Sequence, residues 1–146
     1  MKNNGEQHIE LNVELAHDLG KGDDYNVLVV NQGRHHQDFG KVDENTHHTI
    51  TWTLTGNASN GEFCELDDAN NPGFVWLIRK PSEKIFHKLA LKGKNKVSIH
   101  NHHHNKKSEG TWHYQLFARF GDKIYGVPLT FSAGSGNNPN PSIKNT

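Results

Sequence analysis

The chain has 146 residues, with Lys plus Arg and Asp plus Glu balanced at 16 each. That is the size of one ordinary domain, and the absent positive excess excludes an extended nucleic-acid track. Apolar residues make up 32%, and no run approaches the ~18 consecutive apolar residues of a membrane-spanning helix.

The N-terminal "MKNNGEQHIELNVEL" is interrupted throughout by charged and amide residues, so it lacks the apolar stretch of a secretory signal. The expected location is cytoplasmic. Within it, Ile9, Leu11, Val13 and Leu15 alternate with polar residues, the period of a half-buried strand. "YNVLVVNQ" is a short β-branched run that ends at "NQGRHH". In "HHTITWTLTG", Ile50, Trp52 and Leu54 share one face and threonines take the other. Asn57 and Asn60-Gly61 then mark a turn.

Cys64, the single cysteine, excludes an internal disulfide and agrees with a reducing compartment. Its acidic surroundings, "EFCELDD", raise a thiol pKa and speak against a nucleophile. "GFVWLIRKP" reads as a strand that stops at Pro81, because proline cannot donate to a ladder. "EKIFHKLALKGK" fits helical and strand periods together, and a short helical turn or irregular stretch is expected. "NKVSIHNHH" is a strand with Val97 and Ile99 on its core face. "GTWHYQLFARFG" is the clearest strand of all, with Trp112, Tyr114, Leu116 and Ala118 on one side. "KIYGVPLTFSA" follows, where Pro128 points to an edge or a bulge.

About seven or eight short strands, with turns between them and no long helix, indicate an all-β, antiparallel Greek-key β-sandwich. The expected organisation is one domain over residues 1–133, then a Gly/Asn/Pro-rich tail over 134–146 that stays outside the fold unless "SIKN" pairs with an edge. The segment "SEGTWHYQL" resembles the G-x-Y-x-C strand of immunoglobulin-like sandwiches, with Trp112 in place of the tyrosine and Tyr114 in place of the cysteine. It is also similar to the G-T-Y-x-F strand that leads to the copper site of cupredoxins. Both resemblances imply a Greek-key sandwich of the kind found in small bacterial proteins. The blue-copper ligands implied by the second are missing: their place falls near Leu116, and "FARFGDKIYGVPLTF" holds no Cys, His or Met.

Twelve histidines are the remaining chemistry. If the strand from Val97 ran on to His104, then His100, His102 and His104 would share the face opposite Ile99, about 7 Å apart in steps of two. These three are the candidate metal ligands, for Zn, Ni or Cu, and no other cofactor is expected. The pairs at 35–36 and 47–48, or Glu65, Asp67 and Asp68, would add ligands if folded nearby. Against this, three consecutive histidines divide between two strand faces, and no H-E-x-x-H or C-x-x-C spacing is present. The plain alternative is a solvated hairpin end. Trp52 and Trp112 read as core, whereas Trp76 alternates against Val75 and Leu77 and leaves an aromatic on an open face. "DDAN" and "GDD" read as turns, since the spacing of a calcium loop is absent. With no catalytic motif, the expected function is a non-catalytic binding or structural module for a protein partner or for its own copies. The alternative is a histidine-dependent divalent-metal-binding or pH-responsive protein.

Overall fold

The structure, a computed structural model, describes residues 6–17, 25–34, 36–127 and 141–146. Eleven strands form among the described residues, in chain order. They are β1 (His8–His17), β2 (Tyr25–Val30), β3 (His36–Phe39), β4 (His48–Leu54), β5 (Glu62–Phe63) and β6 (Phe74–Leu77), then β7 (Phe86–Leu91), β8 (Lys96–Asn101), β9 (Gly110–Phe120), β10 (Lys123–Gly126) and β11 (Ser142–Asn145). One sheet runs β2-β1-β4-β8-β7; the other runs β10-β9-β11-β3, with β5 and β6 also paired to β9. No helix among the described residues is long and apolar enough to cross a membrane.

The all-β sandwich expectation holds, but the sheets are mixed rather than purely antiparallel. β1 lies parallel to β4, and β11 parallel to β3. Alternating hydrophobicity reports which face is buried and is blind to the direction of the neighbouring strand.

The alternating residues meet in one core. Leu11, Val13, Ile50, Trp52, Leu54, Val97 and Ile99 from the first sheet face Trp112, Tyr114, Leu116 and Ala118 from β9. All are at most 3% exposed, so each alternation read from the sequence has its inward side where expected. Trp52 donates its indole N–H to the Tyr114 hydroxyl across the two sheets at 2.8 Å. Phe74 stacks on Tyr114 at 5.2 Å and 11°. Burial pushes the Tyr114 phenol far above its ordinary pKa, so the hydroxyl stays neutral.

Two segments depart from their sequence reading. "EKIFHKLALKGK" divides in two: residues 83–85 form a turn in which the Ile85 and Phe86 amides donate to the Ser82 carbonyl, but Phe86–Leu91 is the edge strand β7, with a bulge between His87 and Ala90. Lys88 at φ +57° makes that bulge, and the extra residue shifts the period that resembled a helix. The tail boundary at 133 also moves. "SIKN" forms β11 between β9 and β3, with Ile143 1% exposed. Val127 donates to the Leu116 carbonyl and Tyr114 donates to the Pro141 carbonyl, both on one edge of β9. Residues 127 and 141 thus stand opposite Leu116 and Tyr114, two residues apart along β9, and the intervening 128–140, with Pro128, lie outside the described residues. "GDD" at 22–24 lies outside them too.

β8 carries the chemistry of the next section. Its pairing with β4 sets His100 opposite Thr49 and Asn101 opposite His48, while its pairing with β7 sets His100 opposite His87. Tyr114→Phe tests the anchor beneath it, since that change keeps the ring and leaves the Trp52 N–H buried without its acceptor. The variant is expected to lose about 1–3 kcal/mol, read as a lower urea midpoint at unchanged m-value. An unchanged midpoint would remove the bond from the account of stability.

Candidate functional site: an imidazole face

Strand alternation sorts "IHNHHH" into two sets. Ile99, Asn101 and His103 point inward and are buried, whereas His100, His102 and His104 lie on the outer face and are partly exposed. The neighbouring strands add to the outer set. His47 precedes β4, and His87 stands on β7. Five imidazoles from three adjacent chain segments therefore meet at one end of the five-stranded sheet.

Their spacing is close. His47 stacks on His100 with ring centroids 3.9 Å apart and planes 14° from parallel. His102 occupies the centre of the group, 4.4 Å from His87, 5.1 Å from His47, 5.5 Å from His104 and 6.2 Å from His100. His104 donates Nε2–H to the Thr46 carbonyl at 2.8 Å. His47 Nδ1 lies 3.2 Å from the His48 carbonyl, a donor position for Nδ1–H. In each ring the second nitrogen then keeps its lone pair. As the side chains stand, no three His, Cys, Asp or Glu among the described residues aim their donor atoms at one centre.

All three expected candidates, His100, His102 and His104, thus stand together. His47 belongs to a pair that the sequence marked as available. His87 was missed, because it sits in the segment whose bulge disguised a strand. The other histidines have separate places. His48 is buried with both nitrogens engaged, donating Nε2–H to the Gly40 carbonyl at 2.8 Å and accepting from the Gln7 amide at 3.1 Å. His103 is buried with Nδ1 2.6 Å from the Ser108 hydroxyl. His36 lies on β3 in the other sheet, bonded to Ser142. His35 is outside the described residues.

The other candidates resolve plainly. Asp68 accepts from the Asn70 and Asn71 amides at 2.9 and 2.7 Å, which is a turn, and those bonds hold its carboxyl below the ordinary range. Cys64 is fully buried, and burial raises its thiol pKa, the reverse of what a nucleophile requires. Trp76 is half-buried against Phe74 and Phe86. It lines a cleft of about 440 Å³ together with Lys80, Phe86, His87 and Lys88.

Burial, reinforced by His87 and His47, pulls His102 down to about 4. Burial likewise lowers His48, His100 and His103. Within the face, His100 and His102 are thus held neutral at neutral pH. No family model matches this chain, and no curated protein or solved structure matches it significantly.

These shifts set a pH dependence. An unfolded histidine titrates near ~6.5, while these folded ones bind protons only at lower pH. Between that value and about 4, the folded value for His102, the unfolded chain takes up protons that the folded chain refuses. Stability is thus complete above the window and falls as pH falls through it. Urea midpoints measured from pH 7.5 to 4.5 should decline, less steeply in His102→Gln; a flat profile would contradict the lowered proton affinity of His48, His100, His102 and His103.

Proposed function

We propose that this chain is a non-catalytic β-sandwich binding module, and that its imidazole face holds a divalent transition cation of the Zn, Ni and Cu group. The observation that carries the reading is the spacing around His102. Two imidazoles on one cation at ~2.0–2.1 Å have ring centroids about 5.2 Å apart at the tetrahedral angle and about 4.5 Å apart at a right angle. The separations of His102 from His87, His47 and His104 are 4.4, 5.1 and 5.5 Å. The donor atoms do not converge as the side chains stand, so a shared cation requires the rings to turn from these positions.

The ligand set is His102 with His47, His87 and His104 around it. His100, stacked flat at 3.9 Å, cannot direct a nitrogen to the cation that His47 binds, and it acts as the surface against which His47 is held. Two features support the assignment. Imidazole ligands usually donate their other N–H to a carbonyl or carboxylate, and the Thr46 and His48 carbonyls already stand in that position. The lowered proton affinity of His102 also leaves lone pairs available at neutral pH, where protons otherwise compete with a metal.

Calorimetric titration of the untagged chain with Zn²⁺ at pH 7.5 is the test. One equivalent should bind, and His102→Ala should weaken it at least about tenfold. His100→Ala should weaken it only a few-fold, and His36→Ala not at all. Unchanged affinity in His102→Ala, or in the His100, His102, His104→Ala triple variant, would remove this face from the function.

A further inference from the structure

Ile78, just beyond β6, combines two unfavourable features. Its backbone lies at φ +68°, a left-handed conformation that β-branched residues rarely adopt, and it is 85% exposed. The Arg79 amide donates to the Leu77 carbonyl at 2.6 Å, which closes a three-residue turn of the rare, strained kind. Arg79 fixes that turn to the sandwich: its guanidinium lies 5.0 Å over the Trp112 ring and donates to the Thr111 carbonyl at 2.9 Å. Ile78 is thus held outward against both strain and exposure, which a glycine here would avoid.

The cleft of about 440 Å³ begins beside this turn, since Trp76 and Lys80, on either side of Ile78 in the chain, both line it. Pro81, Phe86 and Leu89 add apolar wall. Its walls include residues of β6 and β7, each paired with a single strand among the described residues. Charge is segregated here as well. Residues 79–96 hold seven of the 16 Lys and Arg but one of the 16 acids, Glu83, so a neutral chain carries a basic end. Lys80, Lys84, Lys88 and Lys92 are exposed and make no ion pair among the described residues. We infer that Ile78 and this cleft dock an acidic segment of a protein partner. One apolar side chain of the segment enters the cleft against Trp76 and Phe86, Ile78 packs beside it, and its carboxylates lie in the field of the four lysines. Such charge complementarity selects the partner and speeds encounter, while the aromatic contact supplies most of the hold. An added strand is the poorer fit, because the bulge at Lys88 and the lysines of β7 blunt that edge. A second copy would bring two basic ends together, and a flat lipid surface would leave the cleft unfilled. The site adjoins the imidazole face at His87 and needs no cation.

Fluorescence anisotropy tests this with labelled peptide pools that mix phenylalanine and leucine with glutamate, with lysine or with serine, titrated with the untagged chain in EDTA. The glutamate pool should bind at least about tenfold more tightly than the other two. The Lys80→Glu, Lys88→Glu double variant changes exposed positions only, and it should weaken that binding about tenfold. Ile78→Gly should weaken it about three- to tenfold while its urea midpoint holds or rises, because glycine accepts the positive φ. A lowered midpoint would instead make Ile78 a structural residue and remove it from the surface. His102→Ala should bind the pool as the parent does, which keeps the result independent of the cation reading. Equal affinity for the three pools would overturn the proposal, as would equal affinity for a pool with alanine in place of phenylalanine and leucine. Tighter binding to anionic phospholipid vesicles or to single-stranded RNA than to the glutamate pool would overturn the protein partner.

Discussion

The hydrogen bond from Trp52 to Tyr114 joins the middle strand of one sheet to the middle strand of the other, and the position of the imidazoles depends on it. Both groups are fully buried, where an unpaired N–H or hydroxyl carries a large desolvation cost. Strands β4 and β9 are therefore held at the register that satisfies both. A slip of one residue would present Thr51 or Thr53 to Tyr114 and turn Ile50 and Leu54 toward solvent. The register that buries Trp52 also sets His47 at the edge of the outer face, beside the strand that bears His100. The core bond and the surface cluster are two ends of one alternation.

The inner side of "NHHH" performs a separate structural task. Asn101 and Asn145 exchange amide hydrogen bonds at 2.8 and 3.1 Å, and Asn145 also donates to the Ser108 carbonyl at 2.9 Å. His103 and Asn105 share the Ser108 hydroxyl. Buried polar groups so paired add specificity, because a shifted register would leave several unpaired together. They join β8, in the first sheet, to β11 in the second. The outer imidazoles are therefore displayed on a segment whose opposite side is pinned across the sandwich. Such support suits a binding surface better than a free loop does, since rigid elements hold ligand geometry more closely.

What the sequence revealed and concealed follows from the range of the signal in each case. Faces were legible: Ile50, Trp52 and Leu54, and Trp112, Tyr114 and Leu116, are all buried as their alternation requires. The outward set of His100, His102 and His104 was legible for the same reason, because alternation is local. Strand direction and neighbours were not, so β1 beside β4 in parallel could not be anticipated from pattern. His87 was hidden by a single residue, Lys88, whose left-handed backbone at φ +57° shifts every later side chain of β7 by one place. β11 was visible only as the exception to a tail, since four residues after a polar run carry little pattern and Ile143 is the only large apolar side chain among them.

Accounting for ring nitrogens separates a structural histidine from a working one. His48 has both nitrogens bonded to the backbone, Gln7 on one side and Gly40 on the other, so it can bind nothing further without breaking the fold. His47 and His104 each commit one nitrogen to a carbonyl and leave the other with its lone pair. Mere solvated decoration would leave such rings free to turn in water. Here carbonyls fix two of them, a stacked partner holds one of those flat, and His102 sits at the distances that two ligands of one cation adopt. Two committed nitrogens and one flat stack thus distinguish this face from a set of freely turning rings.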